Sequence, residues 1–290
     1  MLEHLNPTPA APARVVIMGA AGFVGGAIAK RVARDGVPVL ALGRKEVDLC
    51  AEGAAAKLAS LLRPDDAFVA VSARAPCKNA DMFVENAVIA AAMAGALAKS
   101  PVAHVLNIGS DAIYADSADP LTETSCASPD SLHGAMHLAR EVILKSAGKA
   151  PFVSLRPTLV YGAGDPHNGY GPNRFMRLAK AGQNITLFGE GEERRDHVFI
   201  DDVAAIVRRC VLHGAIGIVN AVSGTITSFR EIAEMAADRF QPRVPVIGTP
   251  RVGPMPHNGY RAFDAGLLAT VFPDFSVTTL ADGLDRSLST

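Results

Sequence analysis

Short apolar runs alternate with longer amphipathic stretches through the first half of the chain. Runs rich in β-branched and aliphatic residues predict strands, and stretches with apolar residues at helical spacing predict helices. The predicted strands cover 14–18, 37–42, 67–72, 102–108 and 152–155, and the predicted helices between them cover 23–34, 52–62, 81–99 and 131–147. Regular alternation of this kind is typical of βαβ units, so we predict an α/β fold built on a parallel sheet.

The alternation stops at a glycine- and proline-rich segment, Ala163 to Asn173, which predicts a long structured loop. Beyond it we predict a helix over 173–181, strands over 185–188 and 197–200, a helix from an Asp201 cap to Leu212, and a strand over 218–221 that rejoins the main sheet. The predicted boundaries are a loose tail over 1–12, a sheet domain over 13–165 plus about 196–225, and a small substrate lobe over about 166–195 plus 226–290. A cleft between the two lobes is the expected binding site.

A glycine-rich turn joins the first predicted strand to the first predicted helix. Gly19, Gly22 and Gly25 follow the apolar run 14–18 and precede a helical pattern that ends at Gly36. Without side chains there, a pyrophosphate can approach the backbone, and the following helix offers unpaired N–H groups and the positive end of its dipole. Three glycines alone are a weak signal, since a structural tight turn has the same composition. The strand–turn–helix context favours dinucleotide binding.

Composition argues against several other classes of protein. The 290 residues are 49% hydrophobic and 20% charged, which is ordinary for a folded globular chain. A formal net charge of −1, without a long basic run, gives no electrostatic reason to expect nucleic acid or an anionic membrane as a partner. We identify no stretch of membrane-spanning length and no signal peptide. The cysteines form no C-x-x-C pair and fit a reducing cytoplasm better than a disulfide framework: Cys50, Cys77, Cys126 and Cys210.

Four motifs, in order along the chain, resemble the extended short-chain dehydrogenase/reductase family of NAD-dependent epimerases, dehydratases and reductases. They are the glycine turn, Ile108-Gly-Ser-Asp-Ala-Ile-Tyr114, Leu155-Arg-Pro-Thr-Leu-Val-Tyr-Gly162, and Arg194-Arg-Asp-His-Val-Phe-Ile-Asp-Asp-Val203. The resemblance covers nearly the whole chain. It implies a Rossmann-type doubly wound parallel sheet with a small C-terminal substrate lobe, a nicotinamide dinucleotide, a nucleotide sugar or related hydroxylated substrate, and a homodimer formed through the helices near 81–99 and 131–147.

The catalytic motif departs from the family pattern. Where the family has Tyr-x-x-x-Lys on a helix, this chain has His133-Gly-Ala-Met-His137, with both side chains on one helix face. The resemblance assigns His133 the proton exchange with the substrate oxygen, which an ordinary pKa of about 6.5 suits. It assigns His137 a hydrogen bond to the nicotinamide ribose, without the permanent charge of lysine. A zinc site and ordinary packed histidines are the competing interpretations. We predict no metal, because no third ligand is evident.

Ser110 ends a predicted strand, where the family carries a hydroxyl that hydrogen-bonds the reacting oxygen. A turn or capping serine is the alternative interpretation. Asp111 follows where family dehydratases have an acid, but Ala112 replaces the glutamate that they use next. Dehydration is therefore disfavoured, whereas epimerase, reductase and dehydrogenase chemistry need no such glutamate.

The end of the second predicted strand indicates which dinucleotide binds. Leu42-Gly-Arg44-Lys45 carries only positive charge, which favours NADP over NAD because arginine pairs with a 2′-phosphate. Asp48 and Leu49 resemble the family's adenine-contacting pair. The predicted cofactor contacts are Gly19, Ala21, Gly22, Phe23, Val24, Gly25, Arg44, Asp48, Leu49, Ala73, Arg74, His137 and Pro157.

Two arginines resemble those with which the family grips a nucleotide-sugar diphosphate: Arg195, and Arg261 in the small lobe. Ordinary surface arginines are the alternative. The predicted substrate contacts are Asp111, Tyr161, Asn173, Arg195 and Arg261. We therefore expect an NAD(P)-dependent oxidoreductase or epimerase. The loss of both tyrosine and lysine leaves open a regulator or scaffold that binds NADP without turnover, and a lyase that needs no cofactor.

Overall fold

Helices cover both faces of a central sheet in the computed structural model, which describes residues 2–288. The strands are β1 (Glu3–His4), β2 (Arg14–Met18), β3 (Val39–Leu42), β4 (Asp66–Ala70), β5 (His104–Ile108), β6 (Phe152–Pro157), β7 (Leu159–Tyr161), β8 (Ile185–Phe188), β9 (Arg194–Phe199), β10 (Ala215–Ala221), β11 (Ile226–Ser228), β12 (Val246–Thr249) and β13 (Tyr260–Arg261). The helices are α1 (Phe23–Arg34), α2 (Ala54–Ala59), α3 (Ala80–Lys99), α4 (Leu132–Lys145), α5 (Pro172–Lys180), α6 (Ile200–Leu212), α7 (Phe229–Ala237), α8 (Gly266–Val271) and α9 (Leu280–Leu288). Short 3₁₀ turns cover Asp111–Ile113 and Pro256–Gly259.

The central sheet has seven strands in the order β1-β10-β6-β5-β4-β2-β3. Every neighbouring pair in it is parallel except β1 with β10. In β2, Val15 and Ile17 pack into the core on one face of the sheet, and Val16 and Met18 pack on the other. Burial on both faces explains why this strand is apolar at successive positions instead of alternating. The predicted Rossmann-type doubly wound sheet is confirmed, and β10 rejoins it as predicted.

The strand order reverses at β2. β3 pairs with one edge of β2 and β4 with the other, with Val15 opposite both Val39 and Ala67. α1 and α6 contact each other on one face of the sheet, while α2 packs on α3 and α3 on α4 on the other. A crevice therefore opens beyond the carboxyl ends of β2, β4 and β5, the place where doubly wound sheets bind ligands.

The prediction of a loose tail over residues 1–12 is wrong for the part that the structure describes. Glu3 and His4 pair antiparallel with β10, and the Asn6 N–H donates to the carbonyl oxygen of His213. The His4 ring stacks on the His213 ring with 4.4 Å between centroids. The open edge of β10 supplies the partner, and a two-residue strand is too short to produce a periodic pattern in the sequence. Residue 1 lies outside the described residues.

The prediction that no stretch reaches membrane-spanning length is wrong for the helix α3. Its 20 residues are long and apolar enough, by length and composition alone, to cross a bilayer. In this fold α3 packs on α2 and α4, and it buries Ile89, Met93 and Leu97 in the core. Such a helix is equally typical of the core of an α/β protein.

The second half of the chain builds a smaller hydrophobic cluster around Phe175, Leu187, Phe229 and Ile232, which joins α5, α7 and the parallel pair β8–β12. β9 connects this lobe to the central domain. It pairs with β7, which directly follows β6 of the central sheet, and it also pairs with β11 and β13. The predicted Asp201 cap is wrong. α6 begins at Ile200, which places Asp201 in the first turn, where a carboxylate still interacts favourably with the helix dipole.

Candidate active site

A cavity of about 1170 Å³ runs along the carboxyl ends of β2, β4 and β5 and extends to the small lobe. It brings together residues that are far apart in the chain. The predicted site residues on its wall are Gly19, Gly22, Phe23, Val24, Gly25, Arg44, Asp48, Leu49, Ala73, Arg74, Ser110, Asp111, His133, His137, Pro157 and Arg195. Ala21, Tyr161, Asn173 and Arg261 do not line it.

The glycine turn forms one end of the cavity in a conformation that needs glycine. Gly19 has φ +108°, and a Cβ there would lie 2.7 Å from the backbone nitrogen of Ser72. A Cβ on Gly25 would lie 2.1 Å from the Gly19 carbonyl oxygen. Gly22 precedes α1 and supplies no side-chain cap, so the first turn of α1 keeps N–H groups free for an anion. These features fit the pyrophosphate of a dinucleotide.

The positive charge of the loop after β3 is partly balanced by a carboxylate from outside that loop. Arg44 and Arg74 both pair with Glu85 of α3, the first at 3.5 Å. Glu85 also lines the cavity, and the sequence analysis did not identify it. The Arg44 side chain is 72% exposed, so its guanidinium is accessible to a phosphate. A carboxylate nevertheless competes for the same guanidinium.

Ser110 both caps a turn and faces the cavity. Its Oγ accepts a hydrogen bond from the Ala112 N–H at 3.2 Å and donates to Asp111 Oδ1 at 3.4 Å. Ser110 is therefore both a capping residue and a residue of the cavity wall. A hydroxyl fixed in this way presents a defined direction to a bound oxygen.

Both histidines lie in the first turns of α4, which packs closely against the turn after Ser110. A Cβ on Gly134 would lie only 2.0 Å from the carbonyl oxygen of Ala112, so the glycine allows this approach. Ser131 caps the helix by accepting from the Gly134 N–H at 3.1 Å. The rings of His133 and His137 meet edge to face, with 4.7 Å between centroids.

The surroundings of the two imidazoles favour their neutral form. Burial lowers the pKa of His133, and the Asp111 carboxylate opposes that shift. Burial lowers the pKa of His137 well below its usual range, with further lowering from His133 and from Arg140. The Cys77 N–H donates to Nδ1 of His133 at 3.4 Å, which favours the tautomer that carries its proton on Nε2. Nδ1 of His137 is buried without a hydrogen-bond partner among the described residues.

The small lobe closes the other end of the cavity. Arg195 on β9 lines it with a side chain that is 12% exposed and donates to Glu193 at 3.0 Å. His257 also lines it, and its ring hydrogen-bonds Asp116 with Nδ1 and Oδ1 2.5 Å apart. His257 has φ +52°, an uncommon backbone conformation for a residue with a side chain.

Arg261 does not reach the cavity wall. Backbone pairing places it opposite Arg195, but its side chain turns away and is 2% exposed. Nε donates to Asp111 Oδ2 at 3.1 Å, and Nη1 donates to Asp116 Oδ1 at 2.8 Å. Nη2 donates to the carbonyl oxygens of Asp111 at 2.6 Å and Tyr114 at 3.2 Å. All three guanidinium nitrogens are therefore engaged within the protein.

Tyr161, Asn173 and Ala21 also differ from their predicted places. Tyr161 is 1% exposed, and its hydroxyl donates to the Thr279 carbonyl oxygen at 3.4 Å. The Asn173 side chain accepts from the Gly162 N–H at 3.0 Å and donates to Asp165 at 2.8 Å, which fixes the glycine-rich loop. Ala21 is exposed outside the cavity. Ala21 and Tyr161 match family motifs in sequence and Asn173 lies on the glycine-rich loop, but none of the three side chains lines the cavity.

Comparison with known proteins decides the family. The model of the NAD dependent epimerase/dehydratase family matches residues 15–221. The chain belongs to this family. It is 30% identical over 274 residues to a UDP-glucose 4-epimerase of Mycolicibacterium smegmatis, an alignment that covers 83% of this chain and 87% of that protein.

Solved structures of other proteins share the fold of this epimerase/dehydratase family member. MoeE5 in complex with UDP-glucose and NAD superposes with a TM-score of 0.80 at 21% identity, covering 95% of this chain and 97% of that one. A GDP-L-fucose synthetase from Naegleria fowleri bound to NADP superposes with a TM-score of 0.83 at 15% identity, covering 99% and 96%. Both likenesses support the fold.

Several residues on the wall of this family member's cavity were not predicted from its sequence. Glu85, Asp130 and His257 all contribute to it. Glu85 lies in a helix with no motif around it, and His257 lies in the proline-rich segment without regular periodicity. The adjacent positive charges of Arg44 and Lys45 after β3 were a signal that a carboxylate would lie nearby.

Proposed function

We propose that this protein catalyses NAD(P)-dependent hydride transfer at a hydroxyl-bearing carbon of a nucleotide sugar, as an epimerase or a simple oxidoreductase. The observation that carries the proposal is a single cavity that joins the uncapped glycine turn to Ser110, His133 and His137. The 4-epimerase named among its relatives supports the substrate class. A bound nicotinamide cofactor supplies the hydride acceptor or donor.

In this proposal the chain's own residues handle the proton and the orientation of the substrate. Ser110 Oγ hydrogen-bonds the reacting oxygen. His133 takes the proton from that oxygen at Nε2 in one tautomer, or donates the Nε2 proton to it in the other. His137 hydrogen-bonds the cofactor ribose. Arg195, on the small-lobe wall, binds the diphosphate of the substrate.

The test combines turnover with cofactor binding. Purified protein is incubated with NAD or NADP and a panel of nucleotide sugars that begins with UDP-glucose. We expect product from the native chain, loss of turnover in His133→Ala, and an unchanged dinucleotide dissociation constant in that variant. Undiminished turnover in His133→Ala would refute the assignment of the proton to this residue.

We infer a preference for NADP from Arg44, which follows β3. Arg44 is accessible, and the three residues directly after β3, Gly43 to Lys45, include no carboxylate that would bind a ribose 2′-hydroxyl. Arg44→Ala should raise the dissociation constant for NADP far more than for NAD. Glu85→Gln, which removes the competing carboxylate, should tighten NADP selectively. Equal changes for both dinucleotides would reject this selectivity.

A second candidate is a regulator that binds a dinucleotide without turnover. The observation in its favour is the replacement of tyrosine and lysine by two neutral imidazoles, one of them with a buried Nδ1 that has no partner among the described residues. Tight binding with no product across the whole panel would support it. Reproducible turnover by the native chain would exclude it.

We also propose a homodimer that forms through α3 and α4. These adjacent helices expose large apolar side chains, with Val84 62% and Val142 60% accessible. Light scattering should give twice the chain mass. Val84→Asp combined with Val142→Asp should shift the protein to monomer, whereas Ile247→Asp, at an exposed apolar position of the small lobe, should not. A monomeric native chain would contradict the proposal.

The cysteines support a reducing compartment, and we propose the cytoplasm. All four are free thiols in the structure. Cys77 and Cys210 are buried, while Cys50 and Cys126 are exposed. Labelling of the exposed thiols in intact cells tests this proposal. The thiols should react with the label if the protein is cytoplasmic, and they should be unreactive if it is exported, because exported thiols are oxidised more readily.

A further inference from the structure

Arg140 lies one turn beyond His137 on α4 and is 2% exposed. Nη1 donates to the Val71 carbonyl oxygen at 3.4 Å, and Nη2 donates to the carbonyl oxygen of Ala70. Nε is buried without a hydrogen-bond partner among the described residues. The guanidinium therefore lies beneath the carboxyl end of β4, held only by backbone carbonyls.

No carboxylate balances this charge among the residues that the structure describes. The other deeply buried arginines differ: Arg156 pairs with Glu141 at 2.6 Å, and Arg261 pairs with Asp111 at 3.1 Å. Burial alone lowers the pKa of Arg140, to about 10, so the group stays charged at neutral pH. Because burying an uncompensated ion is costly, an apolar residue here would serve the fold better. Such a group is a candidate for a functional role.

The charge lies next to one particular end of the cavity. His133, His137 and Arg140 follow each other at intervals of four and three residues, which places them on one face of α4. His137 and Val71 both line the cavity. Arg44 lies after β3, on the far side of β2 from β4 and β5. A dinucleotide with its adenosine half near Arg44 and its phosphates on the glycine turn places its nicotinamide half beside His137.

We infer that Arg140 is an electrostatic positioning residue, whose fixed charge beneath His137 makes the cavity bind the reduced, uncharged nicotinamide ring in preference to the oxidised, positively charged one. The inference rests on the proposed dinucleotide binding. Burial is the main cause that lowers the pKa of His137, and the Arg140 charge adds to it after His133, so the imidazole is able to donate one hydrogen bond and accept another. At a separation of ~10 Å and an effective dielectric of about 20, a unit charge changes the preference by about tenfold.

The test measures dissociation constants for NAD⁺, NADH, NADP⁺ and NADPH with the native protein and two variants. Arg140→Met removes the charge at similar volume, and Arg140→Lys keeps it. The ratio of the oxidised to the reduced dissociation constant should fall about tenfold in Arg140→Met and stay near the native value in Arg140→Lys. A residue that merely ties α4 to β4 would change both constants by the same factor. An unchanged ratio in Arg140→Met overturns the inference.

A second measurement does not depend on dinucleotide binding. Imidazole NMR titration of the native chain and of Arg140→Gln should show a higher pKa for His137 once the neighbouring cation is gone. If the native protein binds none of the four dinucleotides, the proposed function fails, and this titration still decides whether Arg140 acts on the site by its charge. An unchanged His137 pKa in folded Arg140→Gln would refute that action.

Discussion

The most discriminating substitution is Arg261→Met, because the sequence and the structure give this residue different roles. The sequence resemblance predicts a ligand of the substrate diphosphate. In the structure its guanidinium joins the small lobe to the turn that carries Ser110, through the carboxylates of Asp111 and Asp116 and two backbone carbonyls. Methionine keeps most of the volume of the side chain and removes every one of these bonds.

The expected cost follows from the burial of the partners. Asp111 is 7% exposed, so loss of Arg261 leaves a buried carboxylate without its cation. Breaking a buried pair in this way costs about 3–5 kcal/mol of unfolding free energy. The Asp116 side chain is 34% exposed and is rehydrated, so it adds less than about 1 kcal/mol. At about 2 °C per kcal/mol for a chain of this length, Tm should fall by about 6–10 °C.

The assay pairs urea denaturation, followed by circular dichroism, with UDP binding by calorimetry. Arg195→Met is the matched control, since Arg195 lies opposite on β9 and makes one side-chain bond, to Glu193. We expect both variants to lose stability, because Glu193, which is 6% exposed, also loses its cation in Arg195→Met, and we expect only Arg195→Met to lose UDP affinity. In an Asp111→Asn background the effect of Arg261→Met should shrink, because the two residues are coupled. If Arg261→Met unfolds within about 1 kcal/mol of the native chain and UDP binding weakens more than tenfold, the structural role is refuted.

Three further outcomes are expected. Gly25→Ala should abolish dinucleotide binding and lower Tm because its Cβ would lie 2.1 Å from a carbonyl oxygen, whereas Gly22→Ala, with 3.4 Å, should fold normally; equal Tm values would contradict the packing argument. Burial lowers the pKa of His197 to about 3. As pH falls below about 6.5, His197 therefore becomes protonated in the unfolded chain but not in the folded one. Between pH 7 and pH 5 the native chain should lose about 2 kcal/mol more unfolding free energy, measured by urea titration, than His197→Phe; equal losses in the two proteins would contradict this. Asp202→Ala removes bonds to the N–H and hydroxyl of Thr278 at 2.7 and 2.8 Å and should cost about 1–3 kcal/mol; a stability equal to the native chain would show that water replaces them.

The central fold could be predicted closely from local pattern. β2, α1 and β8 have the bounds that periodicity predicted, and the parallel central sheet is the one that strand–helix alternation predicted. These elements bury continuous apolar runs or helical stripes, so their hydrophobic pattern is visible in consecutive residues. The two-residue strand β1 was missed because the groups that hold it, the open edge of β10 and the His213 ring, lie more than two hundred residues away.

The residues of the candidate site also fall into two groups, those predicted from local sequence and those decided by long-range packing. The sequence by itself determined the glycine turn, the serine at the end of β5 and the histidine pair, because each depends on spacing within one strand–turn–helix unit. Only the tertiary structure decided that Arg261 is bonded inside the protein, that Glu85 pairs with Arg44, and that Arg140 is buried without a carboxylate. Those properties depend on which side chains meet across lobes and helices, and the strength of a charge depends on the partners and the solvent around it. The motif spacing therefore indicates where the proposed site lies, and long-range packing decides which charged groups remain accessible to its cavity.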